Sequence, residues 1–203
     1  MWDFSLPIGN KFVYCSMRNL VNILVLFVTM FTFGQTTEEL SMINEINKIR
    51  KDPKSYIPVV DEYIKKQEKI IGLISKSNVK SEKGVTIVNN KIRKAVELKR
   101  VLNRTTSLGE LTFNNDMYKI TKNHCLYLDT TKTTDWHVGP DGKHCYNRFK
   151  NLGNTSENVS QNGDNVLLGL MLSDKHRENI LGETVNYVSI YVGTNFTVQN
   201  FME

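Results

Sequence analysis

Apolar residues recur along this chain with helical spacing over its first two thirds and with alternating or strand-like spacing at its end. In "TTEELSMINEINKIRKDP", Leu40, Ile43, Ile46 and Ile49 repeat every three residues. Thr36 faces Glu39 three positions later as a capping box, and Pro53 closes the segment, so a helix is expected between them. A second helix is expected to start near Pro58 in "SYIPVVDEYIKKQEKIIGLI", because proline is tolerated in a first turn. The polar run Ser75–Gly84 reads as a loop, and a third helix follows over about Val88–Leu102. Its inner face is expected to carry Ile87, Ile92, Ala95, Val96 and Leu98. Asn114 or Asn115 caps a fourth helix whose one side holds Met117, Ile120, His124 and Leu128. After it, Thr133–Gly163 shows weak periodicity, and a stretch so long without an element of its own is usually functional. Asp164 is the expected cap of "NVLLGLMLS", and "VNYVSIYV", "GTN" and "FTVQNF" read as an antiparallel hairpin. Helices followed by a terminal hairpin predict an α+β fold.

Composition changes this picture only at the start. The chain has 203 residues, 40% of them hydrophobic, enough for one domain with an ordinary core. "MRNLVNILVLFVTMFTFG" at 17–34 has a basic head, an apolar body shorter than a bilayer span of about 20 residues, and small or modest residues at its end. It reads as a secretory signal peptide, with an uncleaved membrane anchor as the alternative. Residues 1–16 then form an upstream extension outside the native start, and 35–203 the exported domain. Two positive charges (Lys11, Arg18) and one negative (Asp3) leave with the signal, taking the net charge from +5 to +4. The remaining lysines and arginines alternate with glutamates on helix faces and lack interleaved aromatics, which argues against nucleic acid as a partner. Cys125 and Cys145 remain in the exported part, and a bond between them is left open by the sequence.

The chemistry-bearing residues sit late in the chain. All four histidines fall between 124 and 176, with no spacing that matches a local metal motif. His124 belongs to the helical stripe and His144 to a glycine-rich loop, and both read as structural. "SDKHRENIL" at Ser173–Leu181 places four polar tips where an apolar helix ends. They form either a solvated, capped helix end or a set in which His176 and Asn179 point inward, into a polar cavity, and Arg177 and Glu178 outward. Four Asn-x-Ser/Thr sites, at Asn103, Asn154, Asn158 and Asn195, matter only in a glycosylating secretory pathway; the bacterial look of the text makes them chance occurrences.

"WHVGPDG", Arg148, "SENV", "SDKHRENIL" and a closing "FTVQNF", taken in this order, resemble the CAP superfamily of cysteine-rich secretory proteins, antigen five and pathogenesis-related proteins, in its bacterial branch. The likeness runs from about Thr36 to Phe201 and includes "INKIR" at its first helix, with Ile46 where the family has histidine. Residues 70–104 depart from the common core as a variable helical region. The resemblance implies an α-β-α sandwich with a small antiparallel sheet and a central cleft of two histidines and two acids. His137, His176 and Glu157 match three of these, with Ser156 replacing the family's glycine. The second acid has no match, and Asp174, though close, is not at the family's position.

The resemblance implies a cavity lined by His137, Glu157, His176, Asn158 and Asn179, in which His137 and His176 are the candidate ligands of a divalent metal such as zinc. The expected function is a secreted, periplasmic or surface-held monomeric module. It would bind an unidentified small molecule, lipid or cell-surface macromolecule without catalysis, and touch a membrane only through an uncleaved signal. A metal-dependent, peptidase-like hydrolase working through Glu157, His137 and His176 is one alternative. A structural or adhesive surface module is the other.

Overall fold

A computed structural model describes residues 35–76 and 81–203; the expected extension and signal segment lie outside the described residues. Residues Thr37–Glu203 form one compact unit. Helix α1 (Thr37–Lys51) is followed by a 3₁₀ turn (Pro53–Tyr56), α2 (Ile57–Lys76), α3 (Glu82–Arg104), strand β1 (Thr112–Phe113) and α4 (Asn115–Thr130). Then come α5 (Cys145–Arg148), β2 (Thr155–Gln161), α6 (Val166–Met171), α7 (Asp174–Ile180), β3 (Tyr187–Val192) and β4 (Phe196–Met202). The sheet order is β1-β3-β4-β2. The expected hairpin is present as β3 and β4, and β2 joins it antiparallel, but β1 pairs with β3 in parallel.

The sheet lies between two helical layers because successive strand residues face opposite ways. On one face Val159, Val198 and Tyr191 meet Cys125 and Leu128 of α4. On the other, Val188, Ile190 and Phe201 join Ile43, Ile46, Ile49, Leu170 and Ile180 in the main core. The α-β-α expectation therefore holds.

Several sequence readings shift. A strict period of three drifts by about 60° per step around a helix, so Leu40 has rotated out to solvent while Ile43, Ile46 and Ile49 are buried. Helix α3 begins at Glu82, inside the segment expected as a loop, capped by Ser81, whose hydroxyl accepts from the Gly84 N–H. Val88, Ala95, Leu98 and Leu102 form its buried face, and Ile87 and Val96 are exposed. Asn165, not Asp164, caps α6, its side-chain oxygen accepting from the Leu168 N–H at 2.8 Å. Asn114 caps α4, accepting from the Asp116 and Met117 N–H groups.

Two buried charges tie the layers together. Arg50 is fully buried and donates to the carbonyls of Gly109 (2.7 Å), Ile180 (2.8 Å), Gly182 (2.9 Å) and Val185 (3.2 Å). It thus satisfies the chain on both sides of α7's end and the loop before β1. Glu39, also fully buried, accepts from the Tyr118 hydroxyl (3.0 Å) and the Val192 N–H (3.2 Å), joining α1 to α4 and β3. Asp129 plays a similar part at the hairpin turn, accepting from the N–H groups of Thr194, Asn195 and Phe196. A Cβ at Gly193 would collide with that carboxylate.

Replacing Arg50 by alanine should strand four carbonyls and cost at least ~3 kcal/mol, since hydrogen bonds to a charged group contribute about 1.5–3 kcal/mol each. Lysine should restore only a small part, because one ammonium cannot span a guanidinium's fork. Urea unfolding of Arg50→Ala and Arg50→Lys measures both, and an unchanged midpoint for either would contradict the assignment.

Candidate functional site

The site is built around a carboxylate that the strand pattern sends to the α4 face. Glu157 stands opposite Asn200 in the β2–β4 register, and its side chain is 1% exposed. A bare carboxylate there would be very costly, and the neighbouring elements supply its partners. Arg148, from α5, makes a short ion pair with Glu157 Oε2. His124 Nδ1, from α4, lies 3.0 Å from the same oxygen. His137 Nδ1, from the loop after α4, lies 3.2 Å from Oε1.

Arg148 also organises the loop. Its Nη1 donates to the carbonyls of His137 (3.0 Å) and Lys143 (2.8 Å), while Nη2 also lies 2.8 Å from His124 Nδ1. The loop closes over it through a single bridge between Val138 and His144. Gly139 is needed at that crossing, since a Cβ there would come within 2.9 Å of Arg148.

Asn158, next in the strand, faces the other way. Its amide donates to the His176 carbonyl and to Gln199 Oε1, both at 3.1 Å. Asn179 donates to Asn158 Oδ1 at 2.7 Å and reaches the Glu157 carbonyl at 3.4 Å. These two asparagines, expected as cavity lining, fasten α7 to β2 from the opposite face of the sheet and so set where His176 stands.

His176 and His137 are both half-buried. Burial and then the charge on His137 hold the His176 imidazole below its ordinary pKa. Glu157 raises His137 chiefly through their hydrogen bond. Burial alone would raise Glu157, but hydrogen bonds from His124 and His137 and the charges of His124 and Arg148 outweigh it and hold the carboxyl at about 2.

His124, expected as a satisfied, half-buried residue of the helical stripe, is fully buried and is in contact with Glu157 and Arg148. The signal was its place on the apolar stripe of α4, where a polar ring must find a partner. Arg177, expected to face outward, is buried, donating to the Met171 carbonyl (3.0 Å) and to Asp174 (2.7 Å). Glu178 is exposed as expected, and His144 is partly exposed, stacking on Tyr146. Cys125 and Cys145 are both free, one buried in the α4 layer and the other beside Phe149. Burial pushes their thiols up to about 12 and about 11.

A divalent ion held by His137 and His176 would need further donors converging with them. Among the described residues no three His, Cys, Asp or Glu side chains are so arranged. Both oxygens of Glu157 are already engaged, and the guanidinium of Arg148 stands against it. His137 and His176 remain as a pair of imidazoles without a third ligand. The donor set does not fit a metal centre.

The family model for the cysteine-rich secretory protein family, CAP, matches residues 43–201. The chain belongs to that family. Among solved structures it is similar to an extracellular protein containing an SCP domain from Bacillus anthracis, with 17% identity and a TM-score of 0.44 over 63% of this chain and 45% of that one. It is also similar to an outer surface protein from Borrelia burgdorferi (20% identity, TM-score 0.42, 55% of this chain and 89% of that one). A third is a cysteine-rich secretory protein from Staphylococcus aureus (20% identity, TM-score 0.39, 57% of this chain and 39% of that one). The chain spans less than half the length of the Bacillus and Staphylococcus chains it matches. No curated protein matches it. Among the described residues no helix is long and apolar enough to cross a membrane.

The charge assignments give a pH signature. Glu157's folded pKa lies below its unfolded value of 4.5, so its contribution is present above that value and is lost as pH falls towards about 2. Glu157→Gln should cost about 3–5 kcal/mol at neutral pH, because Arg148 is left buried without its counter-charge, and the deficit should shrink on acidification. His137 is shifted the other way. Its contribution is complete below the ordinary imidazole pKa of about 6.5 and is lost as pH rises through the higher folded value. Unfolding midpoints of wild type, Glu157→Gln and His137→Gln across pH check both signs. Parallel profiles for all three would refute the pairing.

Proposed function

We propose that this chain is an exported CAP domain that acts by binding, through a His137–His176 cleft braced by Glu157, and performs no catalysis. The observation that carries the reading is the state of Glu157. A carboxyl held at about 2 and locked to Arg148 is poorly matched to proton transfer at neutral pH, where a general base needs a pKa near the working pH. The same bonding makes it an effective brace. It spends the Nδ1 of His137, whose side chain is 45% exposed, and leaves Nε2 of that ring for a ligand.

The cysteines argue the same way, since thiols raised to about 12 and about 11 supply no thiolate for nucleophilic attack. Export is supported by the segment at 17–34 and by family relatives that are extracellular or outer surface proteins. The ligand on this reading is a small molecule, a lipid or a cell-surface macromolecule presented to the half-exposed imidazoles.

Purified protein should bind intact host-facing surfaces or their extracts, and His137→Ala and His176→Ala should each weaken that binding about tenfold, roughly the loss of one well-placed hydrogen bond to a ligand. The same preparations, offered a peptide library with and without added zinc, should show no turnover. Metal-dependent cleavage abolished by either substitution would replace the binding reading with the hydrolase. Binding unchanged in both variants would leave only a structural role for the cleft.

A further inference from the structure

A cavity is walled by Lys119, Ile120, Asn123, His124, Pro140, Asp141 and Arg148, with a volume of about 440 Å³. None of His137, Glu157 or His176 lines it. We propose that this cavity is a binding site for a small oxyanion, a carboxylate or a phosphate group, recognised by Arg148 and His124 at its base and by Lys119 and Asn123 at its rim.

The base is where hydrogen-bonding capacity is left over. Arg148 carries five N–H groups; Nη1 and Nη2 meet His137, Lys143, Glu157 and His124. Its Nε, on a side chain only 4% exposed, is buried and has no partner among the described residues. His124 repeats the pattern. Its Nδ1 can either accept from Arg148 or donate to Glu157, whereas Nε2 is buried and has no partner among the described residues. The shorter contact, at 2.8 Å, is to Arg148. Where Nδ1 accepts from Arg148 the proton sits on Nε2, and where the ring is charged and Nδ1 donates to Glu157 Nε2 again carries a proton, so in both states it is a second unspent donor. Two buried nitrogens left unsatisfied cost free energy, and both belong to side chains that wall one cavity.

The chemistry of the wall selects the ligand. Arg148 Nε, His124 Nε2, the Asn123 amide and the Lys119 ammonium all supply donors, and a group with several acceptor oxygens satisfies them together. Lys119 is free to turn inward, since its pair with Asp116 at 2.9 Å is an exposed surface bridge and such pairs hold weakly. Asp141 is the one carboxylate on the wall, and it is engaged by the Lys143 N–H at 3.2 Å and the Lys143 ammonium at 3.5 Å. The site is independent of the binding cleft proposed above, although Arg148 and His124 also brace that cleft.

Titration of the full chain with inorganic phosphate, with acetate, and with chloride at matched ionic strength tests the assignment, read by the NMR ring resonances of His124. Phosphate or acetate should shift those resonances saturably while chloride does not. Lys119→Ala combined with Asn123→Ala, both at exposed positions, should weaken the response about tenfold or more, the expected loss for charge-assisted bonds. Tighter phosphate binding would point to a phosphorylated ligand, and tighter acetate binding to a carboxylate. A ring that ignores both anions, or saturable binding untouched by the double substitution, overturns the site. Either failure leaves the His137 and His176 binding tests standing, so the two proposals fail separately.

Discussion

One buried ion pair, Glu157 with Arg148, holds β2, α5 and the loop after α4 in place. Glu157 sits on the middle of a strand, in a sheet whose α4 side also carries Ser189 and Asn200, bonded to Thr121, and Val159 and Val198, packed on Cys125 and Leu128. Its charge is tolerable there only because Arg148 and two imidazoles surround it. Arg148 in turn is the pin on which the loop from His137 to Lys143 closes. Take the carboxylate away and the guanidinium is stranded, the loop loses its anchor and His137 loses its orientation. The pair is thus a specification of shape more than a source of net stability.

In that arrangement Glu157 orients His137 and is itself neutralised by Arg148, while His137 and His176 are each half-buried. The opposite face of the same strand contributes Asn158, which donates to the His176 carbonyl and accepts from Asn179, and so fixes the position of α7.

Much of the scaffold was legible in the chain because it is written in local periodicity. The helix α4 cap at Asn114, the helix closing before Pro53 and the terminal hairpin each follow from spacing and turn chemistry. Strand β2 was not legible. "TSENVSQ" carries a single large apolar residue, Val159, because its alternating positions meet polar partners on both faces, so the hydrophobic alternation that marks a strand is absent. Leu40 and Val96 misled for the opposite reason, being apolar yet turned to solvent by the helical drift.

The order of motifs from "WHVGPDG" to "FTVQNF" determined the family, the three-layer architecture and the pairing of His137, Glu157 and His176 as a candidate site. Those are one-dimensional facts: residue type, spacing and order. The tertiary structure decided which polar residues are satisfied by which. It moved His124 from the helix stripe into the cluster, buried Arg177, sent Asn158 to the far face and left the two cysteines apart. Each of these depends on where a side chain finds a partner far away in sequence, and the desolvation of a charge, which makes such partners obligatory, exists only once the core has closed.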